Sequence, residues 1–130
     1  MPITDCPTHG THACTEVCEH LAEAHANGVY VVPVVLPVLP IDLCALCVRV
    51  HRVDALPSGD EGMARIQAVY DAVNVRSRLI CDACRDATRV AHARSTGAEL
   101  PCEPFEHTLT DADDPRLDAL AELIRSHLSP

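Results

Sequence analysis

The chain has 130 residues, of which 48% are hydrophobic, a length and composition that fit one domain and exclude wholesale disorder. Its aromatics are Tyr30, Tyr70 and Phe105 alone, so a core built from this sequence rests on small aliphatic side chains that each bury little area. All 10 basic residues are Arg, set against 19 Asp and Glu for a formal charge of −9; this excludes lysine chemistry and disfavours nucleic acid as a partner, because phosphate repels a net anion.

Met1 to Gly10 (MPITDCPTHG) lacks the basic and apolar regions of a secretory signal, which predicts a cytoplasmic protein with reduced cysteines. Cys6 to Gly10 is a tight turn. Thr11 to Val17 reads either as a short strand or as the lead-in to a helix that stops at Asn27-Gly28. Val29 to Ile41 is continuously apolar, but it is shorter than the about 20 residues needed to span a bilayer and is broken by Pro33, Pro37 and Pro40. It is expected to run extended at a sheet edge or over the core, with no membrane role.

Further along, Val48 to Val53 alternates in the manner of a strand, and Leu56 to Asp60 is a loop. Ser58-x-x-Glu61 is a capping box for a helix whose Met63, Ile66, Val69, Tyr70 and Val73 form an apolar stripe, ended by Asn74. Val75 to Cys81 reads as a strand. Asp82 to Arg94 is helical, with Ala83, Ala87, Val90, Ala91 and Arg94 on one side and Gly97 as its stop. The run Arg76, Arg78, Arg85, Arg89 and Arg94 is interleaved with Asp82 and Asp86 and reads as a salt-bridged surface. An acidic linker holding Cys102 leads to a last helix with Asp114 as N-cap, Pro115 in its first position, and a stripe of Leu117, Leu120, Ala121, Ile124 and Leu128 that is expected to pack on the protein's own core.

The expected fold is thus α+β, a small zinc-stabilised domain with short strands and about four helices. Residues 1–28 form a Cys/His-rich knuckle and helix, 29–97 a four-cysteine module with an inserted helix, and 98–130 the acidic linker and terminal helix, all within one compact unit.

Eight Cys and eight His are the most informative residues. Cys44-Ala45-Leu46-Cys47 and Cys81-Asp82-Ala83-Cys84 make the pattern C-x2-C-x33-C-x2-C, four soft thiolates suited to one tetrahedral Zn²⁺ with no open position. Such an ion would supply folding free energy on the order of 10 kcal/mol that a thin aliphatic core lacks. Residues 41–97 resemble the treble-clef class of zinc modules, in which a knuckle and the first turn of a helix share one ion. The resemblance implies that Cys81 and Cys84 open the helix that follows them. It departs from the class in one place, since Val48 and Arg49 follow Cys47 where a knuckle usually carries Gly.

A second, less complete zinc site is offered by Cys6-x2-His9 with Cys18 and His20. Residues two apart on an α-helix are rotated by about 200°, so Cys18 and His20 converge only if Cys18 ends a strand and the helix begins near Glu19. If the helix starts instead at Thr15, then Cys14, Cys18 and His25 share a face and become substitutes. His51, His92, His107 and His127 lack spacing partners and are expected at the surface, with Cys102 a free thiol.

Neither H-E-x-x-H nor a deaminase pattern of H-x-E with P-C-x-x-C occurs, and no phosphate-binding or nucleophile-elbow motif is present. These patterns favour a non-enzymatic interaction module, an adaptor, regulator or inhibitor whose acidity steers it to a basic protein partner. The alternatives are a metal- or thiol-responsive regulator and, behind it, a nuclease-like or dithiol enzyme.

Overall fold

The computed structural model describes residues 3–35, 39–53, 59–97, 105–106 and 115–127. The chain opens with a hairpin of β1 (Ile3–Cys6) and β2 (Gly10–Val17), the turn closing at Gly10 with a φ of 71° that a side chain would resist. Helix α1 (Glu19–Ala26) follows after one residue, β3 (Val34–Val35) after an extended apolar segment, and α2 (Ala45–Val50) after Cys44. Next come α3 (Gly59–Asn74), β4 (Arg78–Cys81), α4 (Asp82–Thr96), β5 (Phe105–Glu106) and α5 (Pro115–His127).

The architecture is α+β, with five helices among the described residues and a three-stranded antiparallel sheet in the order β1-β2-β4. Register in the sheet runs from Cys14 opposite Cys81 to Val17 opposite Arg78. A short parallel pair joins β3 to β5. As the proline-rich run predicts, Val31, Pro33, Val34, Leu39 and Ile41 are buried over the core; Val34 pairs within β3, and the chain bends at Pro40 and Ile41. None of the described helices is long and apolar enough to cross a membrane.

One apolar cluster gathers the strand end Val17, Leu21 and Ala24 of α1, Val34, Ile41 and Leu43, Val48 of α2, Val69 and Val73 of α3, and Leu117, Ala121 and Ile124 of α5. The terminal helix therefore buries its stripe in the protein's own core. Aliphatic side chains carry it throughout, and Cys18, Cys44 and Cys47 belong to it as well.

Three sequence expectations are corrected. The segment from Val48 is helical, not a strand, because Cys44 opens a turn: the Cys47 N–H bonds to Cys44 Sγ at 3.4 Å and the Val48 N–H to the Cys44 carbonyl at 3.1 Å. That local cap overrides a weak β-branched preference and accounts for the fifth helix. In α3, Met63 is 59% exposed and Gly62 lies inward in its place. In α4 the inward face is not the alanine side: Ala87, Ala91 and Arg94 are exposed, Ala93 is buried, and Arg85 bonds inward to Asp42 at 2.9 Å. Pro37, the Ser58 and Asp114 caps, Cys102, His107 and Leu128 lie outside the described residues.

Candidate metal centres

Among the described residues two groups of four potential donors are assembled, and in each the donor atoms lie within 4.8 Å of one another. The outer group is Cys6, His9, Cys81 and Cys84; the inner group is Cys18, His20, Cys44 and Cys47. These are the eight residues singled out in the sequence, in a different partition. Cys44 and Cys47 do not meet Cys81 and Cys84, and Cys6 and His9 do not meet Cys18 and His20.

Strand β2 is the reason. His9 precedes it and Cys18 follows it, and eight residues of strand extend on the order of 26 Å. Cys81 stands opposite Cys14, four residues short of Cys18, a separation of roughly 13 Å along the strand that no single ion bridges. The first and last ligand pairs in the chain therefore meet at one end of β2, and the two middle pairs meet at the other.

At the outer centre the β1–β2 turn presents Cys6 and His9, while Cys81 ends β4 as the N-cap of α4 and Cys84 sits in that helix's first turn. Sulfur to sulfur, Cys6 and Cys84 are 3.4 Å apart. His9 Nδ1 lies 3.3 Å from Cys84, 3.5 Å from Cys6 and 3.7 Å from Cys81. Only Cys81 is buried, and His9 is exposed. Thr15 of β2 donates to Asp82 Oδ1 at 2.6 Å, which holds the start of α4 against the strand.

The inner centre depends on the boundary between strand and helix. Cys18 is the N-cap of α1 with extended backbone (φ −65°, ψ 162°), so its sulfur and the His20 ring converge as a continuous helix would prevent. The Cys18 N–H bonds to the Asp42 carbonyl at 3.0 Å and the Asp42 N–H to the Glu16 carbonyl at 2.9 Å, which lays the approach to Cys44 alongside the strand end. His20 Nδ1 is 3.1 Å from Cys47 Sγ and 3.5 Å from Cys44 Sγ, and the Cys44 N–H donates to Cys18 Sγ at 3.3 Å. Glu19 Oε1 stands 3.9 Å from His20 Nε2, a carboxylate behind the ligating ring. Cys14 and His25 belong to neither group.

Crowded thiols cannot all ionise without a counter-charge, and the protonation preferences record that conflict. The Cys18 thiol is pulled down by hydrogen bonds from the Cys44 and Cys47 thiols, whereas Cys47 is pushed up by Cys18 first and by Cys44 next. His20 is raised to about 10 by its bonds to Cys18 and Cys44. Outside, the backbone N–H groups of His9 and Thr8 lower Cys6 to about 6, and Cys84 is raised to about 11 chiefly by Cys6. A divalent cation relieves both conflicts by letting every sulfur ionise.

The Arg-rich run is salt-bridged at Arg76, Arg85 and Arg89, but of these Arg89 alone pairs with an interleaved acid, and the other two reach acids outside the run. Arg85 pairs with Asp42 at 2.9 Å, Arg89 with Asp86 at 2.7 Å, and Arg76 with Glu19 at 3.7 Å. Sequence reasoning missed Asp42 and Thr15, whose side chains tie α4 to the segment entering the inner centre and to the strand. Beside that centre lies a cavity of about 300 Å³ whose walls include His20, Leu46, Val50, His51 and Arg76. In comparison with known proteins, no family model, no curated protein and no solved structure matches this chain.

Proposed function

We propose that this chain is a non-enzymatic, zinc-stabilised interaction module of the cytoplasm that holds one Zn²⁺ in each tetrad and docks on a basic protein partner. The observation that carries the reading is the pair of Cys/His tetrads at opposite ends of β2. A tetrahedral zinc with bonds of about 2.3 Å to sulfur and 2.0 Å to nitrogen spaces its donors by roughly 3.8 Å between sulfurs and 3.5 Å between sulfur and nitrogen. The separations of 3.1 to 3.7 Å at the two centres fit such shells with modest adjustment. Three thiolates and an imidazole suit zinc among the common divalent ions, and four protein donors leave no position open for a substrate.

The treble-clef likeness is better carried by the outer tetrad than by residues 41–97. Its knuckle is Cys6 to His9, followed directly by Gly10, and its helix start is Cys81 to Cys84. Cys44 to Cys47 opens α2 instead, which accounts for the absent glycine after Cys47. With three thiolates per ion each shell carries −1 (−3 + 2), so zinc does not reverse the formal charge of −9 that would steer the protein to a cationic surface.

Elemental analysis of protein purified under reducing conditions should find two zinc ions per chain. Metal-free protein that still melts cooperatively would overturn the zinc assignment. Binding to a basic protein should weaken as salt rises, and salt-insensitive binding would overturn the charge-steered docking.

A further inference from the structure

We propose that Cys6 and Cys84 form a site of oxidative modification, at which a peroxide converts the outer metal clamp into a disulfide and expels the ion. This rests on the reading of both tetrads as zinc centres.

The two centres differ in what an oxidant can reach. Cys18, Cys44 and Cys47 are at most 4% exposed and are packed within the apolar cluster, even with the cavity alongside. At the outer centre Cys6 and Cys84 are partly exposed, their sulfurs are 3.4 Å apart, and neither belongs to that cluster. Cys81 is 6% exposed and lies behind them with Cys14, at 3% exposure, as its cross-strand neighbour. Thiol oxidation follows access and thiolate character, so it begins at Cys6 or Cys84 and is completed by the other.

One thiolate attacks the peroxide, the O–O bond breaks, hydroxide leaves and a sulfenic acid forms. The second thiolate attacks that sulfur, the S–S bond forms, and the remaining oxygen departs as hydroxide. The sulfurs lose two electrons to hydrogen peroxide, and the zinc leaves as an unchanged dication with only His9 and Cys81 still facing it. The hairpin stays joined to the start of α4 by a covalent bond in place of a metal. Because the residues involved stand outside the apolar cluster, oxidation alters the exposed end of the sheet and leaves the core in place.

The test treats zinc-loaded full-length protein with hydrogen peroxide while a chromophoric chelator reports released zinc and peptide mass mapping reports disulfides. One of two zinc ions should be released, with a Cys6–Cys84 linkage and an unchanged far-ultraviolet circular dichroism spectrum. Cys14→Ser should behave as wild type. Two bound ions but no peroxide-dependent release, parallel loss of both, or a first linkage of Cys44–Cys47 or Cys14–Cys81 would overturn the proposal and leave the zinc reading standing. Fewer than two zinc ions before peroxide is added would defeat the zinc reading and, with it, this proposal.

Discussion

The inner and outer centres use the same donors, three cysteines and one histidine, yet they stand in opposite relation to the core. Three of the four inner ligands are members of the apolar cluster that joins α1, α2, α3 and α5, whereas the outer four are absent from it. The inner sulfurs replace core side chains in a protein without tryptophan and with only three other aromatic residues. The outer sulfurs clasp a hairpin turn to a helix end. A single set of donor types thus stands within the core at one end of β2 and between a hairpin turn and a helix end at the other.

Ser substitution separates these roles most sharply. Cys44→Ser removes an inner ligand and leaves a buried hydroxyl among unpaired thiols; with structural zinc worth on the order of 10 kcal/mol, the chain should lose cooperative melting. The matching change at the outer centre, Cys84→Ser, should lose one zinc and keep a cooperative transition. Calorimetry and metal content on the two variants check the contrast, and equal losses would erase the distinction between core and fastener.

A smaller effect is expected where the two regions are tied together. Arg85 and Asp42 pair at 2.9 Å with side chains 18% and 19% exposed, linking the helix that opens at the outer centre to the segment that enters the inner one. Arg85→Ala should cost about 1–3 kcal/mol, because it leaves a largely covered carboxylate short of a partner. Denaturant melts read this directly, and a change near zero would mean that this ion pair does not help to hold the two ends together.

The smallest effect concerns pH. His25 on α1 is held below its ordinary value of 6.5 by burial and then by the nearby Arg85 charge. The unfolded chain therefore takes up this proton first, so the contribution of His25 is fully present above about pH 6.5 and is lost as pH falls through its folded value. His25→Gln should flatten the decline of stability on the acid side. The check is the difference between wild-type and variant slopes, since ligand protonation is common to both.

Much of this organisation is legible in the residues themselves. Gly28 and Gly97 end α1 and α4 with φ of 75° and 70°, and both C-x2-C pairs open helices: Cys44 caps α2 by accepting the Cys47 N–H, and Cys81 is the N-cap residue of α4 without a side-chain cap bond. The requirement that Cys18 end a strand for His20 to join it is met at the β2–α1 junction. The nested partition also has a sequence signal: once Thr11 to Val17 is a strand, it is a spacer, and ligands on either side of it cannot share an ion. The helical turn after Cys44 was less legible, because six residues of alternating valine carry little information against one cap.

Spacing along the chain, then, determines which eight side chains are suited to a metal and which local turns present them, because turn and cap geometry depend on a few neighbouring residues. Which pairs become partners, and which centre lies in the core, is decided only when β2 pairs with β4 and the Asp42 segment joins the strand end. Those contacts join residues more than 20 positions apart, so they depend on loop closure and shared burial, which short-range pattern does not encode.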